Sequence, residues 1–191
     1  MREVFQRGWI AFSIALVCAV VLLAQEIKPR LVGETLRVST RGISFLAGKQ
    51  LDSVRNGATV TFDLQLTLFT ETRQSAGRTA ERFVFSYDIW EERYSVVQLT
   101  TRAGVGNLTL DAAQQWCLDK LGVNVATVDR RARHRLRLDI RGDEPRRRAR
   151  RDQDDPPIAL AALVDIFSRP ARQYQKTWQL ETAAFQLDRL K

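Results

Sequence analysis

The single histidine, His134, is the side chain of this sequence best suited to act as a catalytic base near neutral pH. It lies between Arg133 and Arg135, and adjacent cations lower the basicity that a Ser-His-Asp or Cys-His site requires. We therefore expect an ordinary, partly exposed histidine. One histidine and one cysteine also cannot supply the four nitrogen or sulfur ligands of a usual zinc site. We predict no catalytic residue, no metal and no other cofactor.

The two cysteines, Cys18 and Cys117, occupy very different parts of the sequence. Cys18 lies inside an apolar N-terminal segment, so the rest of the chain holds one thiol and has no partner for an internal disulfide. Cys117 adjoins Trp116 in a helical pattern. That setting favours a small buried apolar residue over a nucleophile.

Carboxylates keep one enzymatic alternative open, because two Asp or Glu residues from distant positions can form a hydrolase site. Glu91 and Glu92 fit a hairpin turn, and the acidic residues at 152–155 fit the start of a following helix. A deep pocket with two carboxyls of raised pKa would favour the hydrolase.

The chain is strongly basic, with a formal net charge of +8, and 25 of its 30 basic residues are arginine. Arginine binds phosphate and carboxylate groups with two parallel hydrogen bonds. The densest cluster lies in a predicted loop at 142–155 and is the candidate binding site for an anionic partner. It consists of Arg146, Arg147, Arg148, Arg150 and Arg151. The alternative is a solvated loop whose neighbouring acidic residues compensate the charge.

Residues 1–25 have the pattern of a signal peptide or a membrane anchor. Arg2 and Arg7 precede the apolar run Trp9–Ala24, which as a helix would span about 24 Å, short of the roughly 30 Å hydrocarbon core. A signal peptide fits this length better than a spanning helix. Leu22 is bulky for the third position before a cleavage after Ala24, so removal and retention both stay open. We predict an exported protein, periplasmic or anchored to the inner membrane and facing outward.

Period-two alternation of apolar residues predicts a mainly β domain at 35–191, after a linker at 26–34 that contains Pro29 and Gly33. In the segment 59–72, five apolar residues alternate with polar ones and share one face of a strand. They are Val60, Phe62, Leu64, Leu66 and Leu68. We expect this face to be buried against Phe83, Phe85 and Tyr87 of an adjacent antiparallel strand.

Further strands are predicted at 82–90, 94–99, 123–128, 133–141 and within 177–190, and a loop at 73–79. The apolar phase slips at Val96–Val97, which predicts a bulge or a strand buried on both faces. One helical turn is expected at 50–56, and short helices at 107–121, capped by Thr109, and at 156–170. The predicted fold is β-rich α+β: an antiparallel sheet or sandwich with two short helices, preceded by an N-terminal apolar signal or anchor helix.

Four segments carry a resemblance to a known family: Leu51–Phe69, Phe83–Val96, Arg133–Ile140 and Thr177–Thr182. In these segments the chain resembles an exported bacterial family catalogued as domain of unknown function 4390. The resemblance implies a short exported protein with a β-rich domain. The family has no assigned activity, so the resemblance implies no catalytic residues. The arginine-rich loop is longer here than in the family pattern.

These observations favour a non-enzymatic interaction or accessory domain of the cell envelope. Its expected partner is an anionic membrane surface or an acidic envelope protein. Nucleic acid is not expected outside the cytoplasm, and no small-molecule ligand can be inferred. A hydrolase with paired carboxylates is one alternative. A basic nucleic-acid-binding module becomes the other alternative if the domain stays in the cytoplasm.

Overall fold

The computed structural model describes residues 26–41, 43–143 and 176–190. The predicted signal or anchor helix at 1–25, the arginine cluster at 146–151 and the predicted helix at 156–170 lie outside these residues. Within the described ranges, none of the helices has the length and apolar character needed to cross a bilayer.

The described chain is mainly β, with two α-helices and antiparallel sheets, which confirms the predicted class. The helices are α1 (Lys49–Arg55) and α2 (Leu110–Lys120), and a short 3-10 helix covers Leu187–Arg189. The strands are β1 (Glu26–Val32), β2 (Thr35–Arg41), β3 (Val60–Thr70), β4 (Ser75–Asp88), β5 (Arg93–Gln98), β6 (Gly104–Leu108), β7 (Val123–Asn124), β8 (Arg133–Gly142), β9 (Lys176–Glu181) and β10 (Phe185–Gln186).

Strand β3 occupies the middle of the larger sheet, whose order is β10-β8-β3-β4-β5-β6, with β9 also paired to β8. Phe62 of β3 lies opposite Phe83 of β4, and Leu64 lies opposite Ile140 of β8. The predicted face is confirmed, because the alternating apolar side chains of β3, together with Phe83 and Phe85, are fully buried and Tyr87 packs against them.

The smaller sheet, in the order β1-β2-β7, shares one apolar core with the larger sheet. Phe45, just after β2, packs edge to face on Phe62 and Phe85 of the larger sheet, with ring centroids 5.0 and 5.9 Å away. At the other end of β4, a side chain on Gly77 would come within 2.7 Å of Val123 in β7. Glycine therefore allows the two sheets to approach closely there.

The predicted linker at 26–34 was wrong, because these residues form β1 and its turn into β2. Pro29 lies opposite Val38, and β1 is the outer strand of its sheet. Proline has no backbone N–H but is tolerated in an outer strand, where one side of the backbone needs no partner. Gly33 has a φ of +61°, the left-handed conformation that the turn requires.

Strands β4 and β6 also depart from prediction. β4 begins at Ser75, inside the expected loop at 73–79, and ends at Asp88. Ile89, which lies inside the strand predicted at 82–90, is instead in the following turn and is exposed. β6 was not predicted, because Gly104 and Gly106 are poor strand formers.

The predicted strand at 123–128 is reduced to Val123–Asn124. The bulge predicted at Val96–Val97 is displaced towards the start of β5: the register shifts between Tyr94 and Val96 in the pairing of β5 with β6, whereas β5 pairs with β4 without a shift.

The predicted Thr109 cap of helix α2 is confirmed, since the Thr109 hydroxyl accepts a hydrogen bond from the backbone N–H of Ala112 at 3.3 Å. The predicted start at 107 was wrong, because Asn107 and Leu108 belong to β6 and α2 begins at Leu110. Its buried Gln114 side chain accepts hydrogen bonds from the backbone N–H groups of Phe45 (2.8 Å) and Leu46 (3.0 Å). These bonds fasten the segment after β2 to the helix and satisfy two buried donors. The expected helical turn at 50–56 is present as α1.

Candidate anion-binding cleft

The second face of the larger sheet carries polar and charged side chains, because residues along a strand point alternately to the two faces. On β3 these are Asp63, Gln65 and Thr67, and all three are buried. On β8 they are arginines and one aspartate, which become more exposed towards the start of the strand. This face therefore runs from a buried polar region to an exposed basic region.

In the buried region, Asp63 forms a two-pronged ion pair with Arg82 of β4. The Arg82 Nε and Nη2 atoms donate to the two carboxylate oxygens at 2.5 and 2.9 Å, and Asp63 is only 1% exposed. Burial raises the pKa of the Asp63 carboxyl, and the Arg82 guanidinium acts in the opposite direction. Breaking such a pair would leave a buried charge without compensation, so it serves the fold.

Nearer the exposed region, Asp139 holds Arg137 of the same strand. The Arg137 Nε atom donates to Asp139 at 2.8 Å, and its guanidinium lies 4.7 Å above the ring centre of Phe69. Burial raises the pKa of Asp139, while Arg137 acts to lower it. The carboxylate and the ring together fix the orientation of the Arg137 guanidinium.

A cleft with a volume of about 110 Å³ opens at this basic end of the sheet. The ion pairs around it are long: Arg135 to Glu181 at 3.3 Å and Arg133 to Glu71 at 3.6 Å. Such exposed pairs contribute little to stability and exchange readily with other partners. The cleft is lined by Phe69, Thr70, Glu71, Arg73, Arg135, Arg137 and Glu181.

The turn between β3 and β4 brings Arg73 to this cleft. The backbone N–H of Arg73 donates to the carbonyl of Thr70 at 2.9 Å, and that of Thr70 donates to the carbonyl of Gln74 at 2.9 Å. Arg73 has a φ of +61°, which is uncommon for a residue other than glycine. The turn therefore adds Arg73 to the cleft that Arg135 and Arg137 also line, and three arginines in one cleft are suited to a carboxylate or another oxyanion.

His134 is placed differently from expectation, because it is buried and not partly exposed. It shares the inner face of β8 with Leu136, and its ring Nε2 lies 2.7 Å from the carbonyl oxygen of Asp129. Strand alternation explains this, since the flanking Arg133 and Arg135 take the outer face.

Cys117 is buried in α2, and burial strongly raises the pKa of its thiol. That is the setting of an inert structural cysteine. Across the described ranges, His, Cys, Asp and Glu side chains do not gather into any group of three that could hold a metal ion.

Two carboxyls with pKa values raised by burial, Asp63 and Asp139, lie on the same face of adjacent strands. Each is hydrogen-bonded to its own arginine, and a substrate cannot reach Asp63 through the surface. The carboxylates that line the cleft are instead Glu71 and Glu181.

Glu91 and Glu92 lie in the predicted hairpin turn. The five arginines chosen from the sequence, Arg146, Arg147, Arg148, Arg150 and Arg151, lie outside the described residues.

The cleft was not found from the sequence because its residues come from three distant segments, at 69–73, 135–137 and 181. One signal was available: Arg135 and Arg137 alternate with Leu136 and Leu138. An alternation of this kind places both guanidiniums on one outer face. The contribution of Arg73 and Phe69 needed the pairing of β3 with β8.

Comparisons of this chain with models of protein families, with curated proteins and with solved structures found no match.

Proposed function

We propose that this chain is a non-enzymatic interaction domain of the bacterial cell envelope, whose arginine-lined cleft binds acidic side chains of a partner protein. One observation carries the proposal: Arg73, Arg135 and Arg137 line one cleft, and Arg137 is already oriented by Asp139 and Phe69. A pre-oriented guanidinium loses little freedom when it binds a carboxylate, so more of the interaction energy is kept as affinity.

The chemistry of the cleft favours carboxylates of a protein over lipid headgroups. Glu71 and Glu181 lie among the arginines, so the local charge is mixed and would attract an anionic bilayer only weakly. An acidic side chain can instead displace Glu181 from Arg135, because that ion pair is long and exposed. Partner recognition then exchanges one carboxylate for another.

The envelope location is part of the same proposal. It is supported by the basic residues and apolar run at 1–25, which act either as a signal peptide or as an anchor. We also propose that the chain belongs to the family it resembles, domain of unknown function 4390. In support, the four segments that carry the resemblance contain all but the last residue of β3, the last six residues of β4, and most of β5, β8 and β9.

The competing hydrolase would need Asp63 and Asp139 as its acid and base. If the protein were this hydrolase, replacing either residue by asparagine would abolish the hydrolysis of its glycoside or peptide substrate. Our proposal predicts that the wild-type protein hydrolyses none of a broad substrate panel. Cleavage that is lost in both asparagine variants while their melting temperatures stay close to wild type would support the hydrolase.

The direct test is a titration of the full chain with a fluorescent oligoglutamate peptide, followed by anisotropy. Replacing Arg135 by glutamine removes a charge-assisted hydrogen bond, so we expect the affinity to fall by about tenfold, or about 1.4 kcal/mol. Added salt should weaken the wild-type binding.

The matched control is Arg30→Gln, which removes the same charge from an exposed position on β1 of the smaller sheet. This variant should bind like the wild type, since Arg30 is not part of the cleft. Equal losses in the two variants would mean that the peptide senses only the net charge, and the cleft proposal would then be wrong.

A further inference from the structure

The turn between β4 and β5 exposes two large apolar side chains side by side. Trp90 is 95% exposed and Ile89 is 60% exposed. Among the described residues, no other large apolar side chain is more than half exposed. Two adjacent large apolar side chains that project into solvent form a candidate surface for contact with a partner or a membrane.

This tip is held in place by hydrogen bonds. The Asp88 carboxylate accepts from the backbone N–H groups of Trp90 (2.8 Å) and Glu91 (3.1 Å). Beneath the turn, the rings of Tyr87 and Tyr94 lie 4.8 Å apart, and the Arg55 side chain of α1 donates to the Tyr94 hydroxyl at 3.1 Å. These contacts fix the backbone of the turn that carries the Trp90 indole.

The beginning of β1 lies at this same end of the domain. Glu26 is paired with Arg41, the last residue of β2. Four residues further on, Phe45 packs on Phe85, which is three residues before the end of β4. The chain therefore enters the domain at the end that carries Trp90.

Asp143 and Lys176, between which the described chain is interrupted, also lie at the Trp90 end of the domain. Gly142, at the end of β8, is paired with both Phe62 of β3 and Lys176 of β9. The following carbonyl, of Asp143, accepts a hydrogen bond from Gln50 of α1 at 3.3 Å. The chain between Asp143 and Lys176 therefore leaves and returns at the Trp90 end.

We propose that this end of the domain faces a lipid bilayer and that Ile89 and Trp90 insert into its interfacial region. The apolar run Trp9–Ala24 stops two residues before β1. With that run in the membrane, the start of β1 lies within about 10 Å of it, since a residue spans at most about 3.5 Å. Tryptophan is favoured at the boundary between headgroups and hydrocarbon.

The charges of the turn limit the depth of insertion. Glu91 and Glu92 follow Trp90 directly and are exposed. Their carboxylates must stay in water, because a charge is costly within hydrocarbon. The indole therefore reaches the headgroup level and no deeper. The inference rests on the envelope location proposed above, with residues 1–25 retained as an anchor, and it is independent of the arginine cleft.

The test uses the full chain reconstituted into vesicles of phosphatidylcholine and phosphatidylglycerol. Subtracting the emission of the Trp90→Phe variant from that of the wild type isolates the emission of Trp90. We expect lipid brominated near the headgroup to quench this emission and aqueous iodide to quench it little. The matched control is Trp116→Phe, which isolates a tryptophan packed on Phe83 and should show no loss with brominated lipid.

Two results would overturn the proposal. Quenching of Trp90 by iodide and not by brominated lipid would place the indole in water. Protection from both quenchers would mean that protein covers the Trp90 indole, either a second copy of the chain or another part of the same chain. The Trp90→Phe variant should bind oligoglutamate like the wild type, so a failure of the membrane proposal is distinguishable from a failure of the cleft.

Discussion

The two ends of β4 present opposite chemistry. At the Ser75 end, the turn into β4 adds Arg73 to a cleft with two further guanidiniums. At the Asp88 end, Ile89 and Trp90 stand in solvent with two glutamates beside them. The strand has 14 residues, so the ends lie about 45 Å apart at roughly 3.3 Å per residue. One rigid strand thus separates a surface for charges from a surface for apolar contact, and both can be occupied together.

The largest expected effect comes from breaking the scaffold that the two ends share. Leu64 is fully buried in the middle of β3, between β4 and β8. Replacing it by aspartate buries a charge without a partner, which should cost at least about 4 kcal/mol and unfold many domains of this size. The measurement is the free energy of unfolding in urea, followed by circular dichroism.

The matched control makes the same kind of change at the exposed end of β4. Ile89→Asp should alter the free energy of unfolding by no more than about 0.5 kcal/mol, because a side chain in solvent has few contacts to lose. Similar losses in both variants would show that Ile89 is part of the core, and the contrast between the two ends would be wrong.

A smaller effect is expected along the polar face itself. Asp63→Ala leaves the half-buried guanidinium of Arg82 without its partner, which should cost about 3 kcal/mol. Glu181→Ala removes an exposed partner of Arg135 and should cost less than about 1 kcal/mol. The free energies of unfolding of both variants in urea test whether the loss of stability is larger in the buried region than in the exposed region of this face.

Removing Glu181 should also strengthen oligoglutamate binding, because it no longer competes for Arg135. Weaker binding of the peptide to Glu181→Ala would contradict an exchange of carboxylates in the cleft.

The inner face of β3 could be predicted because nine consecutive residues, Val60–Leu68, alternate in polarity and a strand has a period of two. The burial of its other face could not. Asp63 and Thr67 are polar, and their burial depends on pairing with β4 and β8 across distant positions. Local polarity favours exposure. For Asp63, the ion pair with Arg82 reverses that preference.

Proline and glycine caused the remaining error of prediction at the start of the domain. In the sequence these two residue types are typical of a linker at 26–34, yet an outer strand tolerates Pro29 and a tight turn requires Gly33. Whether a strand lies at the edge of its sheet is a property of the assembled sheet. The end of a strand is likewise not visible in the local sequence. Ile89 continues the alternating pattern, but β4 has already ended at Asp88.

The central claim is that the arginine cleft, and not the arginine cluster at 146–151, receives acidic side chains. The most direct measurement is crosslinking of the full chain with an oligoglutamate peptide that carries a photoreactive group, followed by mapping of the adducts by mass spectrometry. We predict adducts at 69–73 and 135–137, which are lost when Arg135 is replaced by glutamine. Adducts concentrated at 146–151 and unchanged in that variant would contradict the claim.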